Sequence, residues 1–236
     1  MIAQTYTRWE MLIVDDGSED NSAEIIRSYE KRDSRIHFLE QKNAGSAAAR
    51  NNGIRHARGQ YIALLDADDI WLPAFLERQI EFIQEKKAVC VYCSYVCMNE
   101  KSETFLSPVY ARPFITGRDM MVMNRIGCLS GLYDCSKYGK IYLREELKSM
   151  RDDYAYWLDI VKLENKAYGN PEILAKYRVI SSSTTGKKYR LVKKQYIFYR
   201  TYLGLGVIHS IYNVFCWGIA GLHKFSGRRQ KNGYAE

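Results

Sequence analysis

The N-terminus lacks the charged n-region and following apolar h-region of a secretory signal peptide, so none is evident, and Met1 to Arg8 carry no recognisable element. Cysteines facing one way to share a metal ion are lacking too. Six cysteines stand at positions 90, 93, 97, 128, 135 and 216. The first three fall in a strand-like run, Ala88 to Cys97, where alternation puts Cys90 on one face and Cys93 and Cys97 on the other. A shared zinc site is thereby excluded, and the residues read as buried, reduced thiols suited to a cytoplasmic compartment. Disorder has no compositional support: 236 residues that are 47% hydrophobic and 26% charged suffice for one large α/β domain with a small appendage. The net charge of +8 favours an anionic partner and does not by itself choose among nucleotide, membrane surface and nucleic acid. No nucleic-acid-binding motif accompanies that charge, so no nucleic-acid partner is expected.

What the chain does have is strands that end in acids. Tyr61-Ile62-Ala63-Leu64-Leu65 reads as a strand buried on both faces, as in a parallel sheet, and runs straight into Asp66-Ala67-Asp68-Asp69. Open α/β sheets bind ligands at the carboxyl ends of their strands, and an Asp-x-Asp there offers hard oxygens to Mg²⁺ or Mn²⁺ holding a diphosphate. Turns and helix caps also favour Asp, and Asp69 alone would fit that plainer role. Trp9 to Val14 repeats the pattern, ending in Asp15-Asp16-Gly17-Ser18. A helix over Ala23 to Lys31, a short strand over Arg35 to Glu40, an Asn43-Ala44-Gly45 turn and an alanine-rich helix over Ser46 to Ala57 follow. The small residues at that helix start would let a phosphate approach backbone N–H groups, and Arg50 lies on its second turn. Strand, helix, strand, helix, strand predicts a doubly wound sheet. Asp15, Asp16, Asp66 and Asp68 would then converge on one edge, where a divalent cation would relieve their repulsion.

Further along, Pro73 to Lys86 patterns as an amphipathic helix, Asn99 to Pro113 as a loop, and Thr116 to Arg125 as a capped, methionine-rich helix. Arg151 to Val161 reads as a helix whose first-turn acids, Asp152 and Asp153, complement the N-terminal dipole, with Tyr154, Trp157, Leu158 and Val161 on one face. A strand over Ile173 to Val179 leads to a serine-rich loop and, from Lys187, a long helical tail. No formally charged residue lies between Arg200 and Lys224. That length approaches the ~20 residues of a membrane span, but Thr201, Ser210, Asn213 and four glycines favour a helix lying in the membrane interface. Lys224, Arg228, Arg229 and Lys231 would face anionic lipid.

The runs Val14-Asp15-Asp16-Gly17-Ser18, Asn43-Ala44-Gly45, Ala48-Ala49-Arg50-Asn51 and Leu65-Asp66-Ala67-Asp68-Asp69-Ile70-Trp71 closely resemble family 2 glycosyltransferases of the GT-A fold. The resemblance extends from about Gln4 to about Phe225 and implies a doubly wound mixed sheet flanked by helices. It also implies a start roughly 30 residues earlier, the size of a βα unit, so that this chain is expected to be N-terminally truncated. The strand so lacking would be central, between those ending at Val14 and Leu65. By the same resemblance residues 1–186 form the GT-A-like domain and 187–236 a C-terminal tail. Asp15 and Asp16 would contact the uracil and ribose of a nucleotide sugar, and Arg50 would hold the acidic cluster and diphosphate. Asp66 and Asp68 would be the DXD site for Mg²⁺ or Mn²⁺, Arg178 with Ser181 or Ser183 would meet phosphate, and Asp153 would be the catalytic base. Asp152 stands where a glutamate is commoner, and Ile180 where many relatives carry a metal-binding histidine.

The expected activity is inverting transfer of a sugar, from a UDP donor, to a glycan or lipid-linked acceptor in bacterial surface polysaccharide or lipopolysaccharide synthesis. The enzyme would be cytoplasmic and peripheral at the inner face of the cell membrane. The competing class is a noncatalytic relative that keeps the fold and binds a partner or membrane. A phospho-acceptor receiver domain, suggested by Val14-Asp15-Asp16, leaves Asp66 to Asp69, Asp153 and the tail unexplained.

Overall fold

The computed structural model describes residues 1–147, 151–180 and 188–226. Its β-structure is in two pieces. Strand β1 (Met11–Asp15) pairs in parallel with β2 (Ile36–Glu40), joined by helix α1 (Ser22–Glu30). Helix α2 (Ser46–His56) then leads to a six-stranded mixed sheet. That sheet holds β3 (Tyr61–Ile62), β4 (Ile70–Trp71), β5 (Cys90–Met98), β6 (Phe114–Ile115), β7 (Gly131–Asp134) and β8 (Ala167–Arg178). The order is β3-β7-β5-β8-β4, with β6 also on β8. Only β5 and β8 are parallel within it.

Two expectations change here. The run from Tyr61 to Leu65 forms a ladder over just two residues, antiparallel to β7, at the edge of its sheet. Hydrogen bonding to a second neighbour is what would have extended it, and β1 does not pair with it. For the same reason Met11 to Val14 are only half-buried. The two strand starts are nevertheless tied together, since the Glu10 carboxylate accepts the backbone N–H groups of Arg58 and Gly59 at 2.6 and 2.8 Å.

The pleat of β5 divides the interior into two cores. Cys90 and Tyr92 face one that contains Trp157, Leu158 and Val161 of α5 (Asp152–Glu164) and Ala47 and Ile54 of α2. Val91, Cys93 and Cys97 face the other, filled by Phe75, Ile80 and Ile83 of α3 (Phe75–Lys86). The expected sidedness of the cysteines holds, and all six are free thiols. Trp157 is pressed so closely onto the start of β7 that a Cβ on Gly131 would lie 2.4 Å from the indole. The expected Thr116 cap forms at α4 (Gly117–Val122), with Asp119 completing a capping box.

The C-terminal helical stretch is two helices, α6 (Lys188–Thr201) and α7 (Val207–Ser226), separated by a turn in which Gly204 has φ +63°. Phe198 and Tyr199 of α6 are fully buried, and Phe198 stacks on Tyr154 with ring centroids 4.6 Å apart. Among the described residues no helix is long and apolar enough to cross a membrane. The expected phosphate contacts of Ser181 and Ser183 lie outside the described residues.

Candidate active site

The site is organised by the start of α2. Gly45, at φ +91°, turns the chain from an extended segment into this helix, a conformation suited to glycine. Upstream of it, the Asp16 carboxylate accepts the N–H groups of Ala44 and Gly45 and the Gln41 side-chain amide, each at 2.8 Å. Partial burial works against the charge of Asp16, but these donors prevail and hold its carboxyl below the usual range. Asp15, buried at the end of β1, accepts the Ser18 N–H at 3.0 Å and the Ser18 hydroxyl at 2.5 Å. Both acids thus shape the loops that follow β1 and precede α2.

The first two turns of α2 carry the connection onward. The Ser46 hydroxyl donates to Asp152 Oδ2 at 3.0 Å. Arg50 reaches the same oxygen at 3.2 Å through Nη1, and its Nη2 meets Asp66 Oδ1 at 2.5 Å. Burial opposes the guanidinium charge, and the surrounding acidic groups overcome it, so Arg50 stays protonated. A carboxylate from the turn after β3 and one from the N-terminus of α5 are therefore held together by one arginine fork.

Asp153 lies next to Asp152 at the helix start, with the Asn124 amide 3.5 Å from its Oδ2. Burial first, and the like charge of Asp152 second, raise its carboxyl above the ordinary value, against the pull of Arg50 and Arg151. Arg151 itself has φ +63°, a left-handed backbone immediately before the acid pair. Cys128 closes the floor with Sγ 3.9 Å from Asp66 Oδ1, and burial pushes its thiol up, so it is neutral there.

In the acidic turn Asp68 is exposed and Asp69 buried. Asp69 Oδ1 accepts the Arg178 N–H at 2.8 Å, and its Oδ2 is buried with no partner. Burial raises Asp69 to about 7, a shift that the Arg178 N–H only partly offsets. The Arg178 guanidinium donates to the carbonyl oxygens of Asp68, Asn99 and Glu100 and to the Ser102 hydroxyl, all within 3.1 Å. It braces the turn against the loop after β5. Among the described residues no group of three or more His, Cys, Asp or Glu side chains is placed to hold a metal ion. Asp66 and the exposed Asp68 are hard oxygen donors of the kind Mg²⁺ or Mn²⁺ takes, and a cation held by these two would draw its remaining ligands from water or phosphate oxygens.

Sequence reasoning proposed Asp15, Asp16, Arg50, Asp66, Asp68, Asp153 and Arg178 as site residues. The structure links Asp66 to the Asp152–Asp153 helix start through Arg50, and it joins Asp16 to the same network only through the backbone leading into Ser46. Ser46, Asn124 and Cys128 were missed. A serine at a helix start, an asparagine after a helix and a buried cysteine have ordinary local roles, and only spatial proximity singles them out.

Comparison with known proteins finds relatives of this chain in both sequence and fold. Residues 1–150 match the model of "Glycosyl transferase family 2". A Bacillus subtilis protein named for teichuronic acid biosynthesis, the glycosyltransferase TuaG, is 36% identical over 202 residues, covering 85% of this chain and 79% of the relative. The Escherichia coli protein WfgD is named as a UDP-Glc:α-D-GlcNAc-diphosphoundecaprenol β-1,3-glucosyltransferase. It is 33% identical over 201 residues, covering 83% of this chain and 76% of its own length. The fold matches the crystal structure of S. aureus TarS 1–349 in complex with UDP-GlcNAc at a TM-score of 0.65 and 17% identity, over 90% of this chain and 64% of that one. It also matches the mannosyltransferase PcManGT of Pyrobaculum calidifontis, in complex with GDP-Man and Mn²⁺, at a TM-score of 0.62 and 15% identity, over 94% and 69%. With a family match across more than half its length and relatives above 30% identity along most of it, this GT-A-fold chain belongs to glycosyl transferase family 2.

Proposed function

We propose that this glycosyltransferase is an inverting enzyme of cell-surface polysaccharide synthesis. It moves a hexosyl group from a uridine diphosphate sugar to a lipid-linked glycan at the cytoplasmic face of the membrane. The observation that carries the reading is the Arg50 fork, which joins Asp66 of the acidic turn to Asp152, the neighbour of Asp153. One cation thereby couples the place where a diphosphate would sit to the place where a proton would be taken. The names of relatives support the donor and acceptor classes: WfgD is named for UDP-glucose and a diphosphoundecaprenol acceptor, and TarS was solved with UDP-GlcNAc.

In this mechanism the Asp153 carboxylate takes the proton of the acceptor hydroxyl. The oxygen forms its bond to the anomeric carbon as the bond to the β-phosphate oxygen breaks on the opposite face, and the nucleoside diphosphate leaves as an anion. The raised affinity of Asp153 for a proton makes it a stronger base than a solvated carboxylate. Asp152 is held by the Arg50 guanidinium and the Ser46 hydroxyl. A divalent cation held by Asp66 and Asp68 would supply charge neutralisation to the leaving diphosphate. Asp15 and Asp16 shape the loop that would receive the uridine.

Calorimetric titration of the parent and of Asp68→Ala with UDP in the presence of Mn²⁺ tests the donor site. We expect metal-dependent binding that Asp68→Ala abolishes and Asp153→Asn retains. A folded parent with no affinity for UDP would instead support a noncatalytic relative.

A further inference from the structure

The two sides of α7 are unlike each other in a way the reaction does not explain. One side is inward: Ser210 is fully buried, Val214 packs against the larger core, and Trp217 has the Arg151 guanidinium 5.5 Å from its ring centroid. The opposite side carries Ile208, Ile211, Tyr212, Phe215 and Ile219, at spacings of three and four residues that keep them in one stripe. All five are exposed, Ile208 by 82% and Phe215 by 65%. Scattered surface apolar groups need no explanation, but a continuous stripe marks an interaction surface.

Charge selects the partner. Residues 187–236 contain ten Lys or Arg and one acid, Glu236, whereas the whole chain has 35 basic and 27 acidic residues. The first 186 residues therefore carry about as many acids as bases, and the entire positive excess lies in the segment that contains the bare stripe. None of its charges falls within the stripe; they flank it, from Arg200 backward and from Lys224 onward. A second copy of this chain would bring the same positive excess against itself. An acyl surface with anionic headgroups meets both features at once, apolar side chains entering the acyl boundary and Lys and Arg meeting phosphate.

We propose that α7 is a membrane-docking helix whose Ile208–Ile219 stripe lies in an anionic lipid surface. The stripe and Trp217 are on opposite sides of one helix, whose diameter with side chains is about 10–12 Å. Docking thus sets the bilayer about one helix diameter from Arg151, the residue preceding Asp152 and Asp153. If the reaction proposed above holds, the acceptor's glycan would reach the base while its lipid anchor stays in the bilayer; docking itself does not depend on that reaction.

The test is sedimentation of the full chain with phosphatidylcholine vesicles, with and without phosphatidylglycerol, in the absence of donor. We expect binding to the anionic vesicles that weakens with salt, and a loss of about tenfold or more in Ile211→Asp/Phe215→Asp, whose thermal unfolding should match the parent. Ile208→Ser, at the most exposed position, gives a milder second variant should the double one fail to fold, and should weaken binding in the same direction. No binding by the parent, or equal binding by folded variants, would overturn the proposal. So would a parent dimer that the substitutions dissociate, since the stripe would then be a contact between copies.

Discussion

At the scale of single residues the site depends on which carboxylates are neutralised and which are free to take a proton. Asp153→Asn should lower the transfer rate by about 10²–10⁴-fold and leave UDP affinity unchanged, which separates loss of the base from loss of the donor site. Because burial and Asp152 raise the Asp153 carboxyl, its ionised form is lost as pH falls through a value above the usual ~3.9 of a free aspartate. The acidic limb of the rate profile should accordingly lie above that value and vanish in Asp153→Asn; a limb at the ordinary position would contradict the assigned environment. Arg50→Gln leaves Asp152 buried without its cation and should cost about 3–5 kcal/mol in urea unfolding. Arg50→Lys keeps the charge but not the fork that reaches Asp66 and Asp152 together, so weaker UDP binding is expected even where stability is partly kept. Asp15, Asp16, Asp66 and Asp68 were legible in the sequence because they follow apolar runs, whereas Asp153 stood out only through the family resemblance. Ser46 and Asn124 were not, since their contacts with Asp152 and Asp153 cross 106 and 29 residues.

At the scale of elements, local chemistry and tertiary pairing contributed differently. The Thr116–Asp119 capping box and the opposite facing of Cys90 and Cys93 follow from short-range geometry, and both could be read in advance. The length of β3 could not, because a strand extends only as far as its neighbours offer hydrogen bonds. The contact between Gly131 and Trp157 is likewise invisible in either segment alone. Gly131→Ala would drive a methyl group into the indole, and an overpacking cost of about 1–3 kcal/mol should appear as a lower urea midpoint. Destabilisation well under that range would mean that α5 can shift away from β7.

Across the whole molecule the division of the β-structure sets the expected hierarchy of local stability. Strand β5 is buried and paired on both sides, whereas β1 is half-buried and shares a two-stranded sheet with β2. Two-stranded sheets are marginal by themselves. Hydrogen exchange should therefore release the amides of β1 and β2 before those of β5 and β8. Equal protection would show that Glu10 and α2 bind the two pieces into one cooperative unit. The sequence by itself determined the alternation of strands and helices, the acids at two strand ends, the sidedness of the cysteines and the uncharged stretch before Lys224. Each of these is set by periods of two or 3.6 residues and by neighbours a few positions apart. Only the tertiary structure decided that Ser46, Arg50, Asp66 and Asp152 form one network, and that one side of α6 is buried while one side of α7 stays bare. Those outcomes depend on which helix start packs against which strand end, and packing between distant segments has no local period from which it could be read.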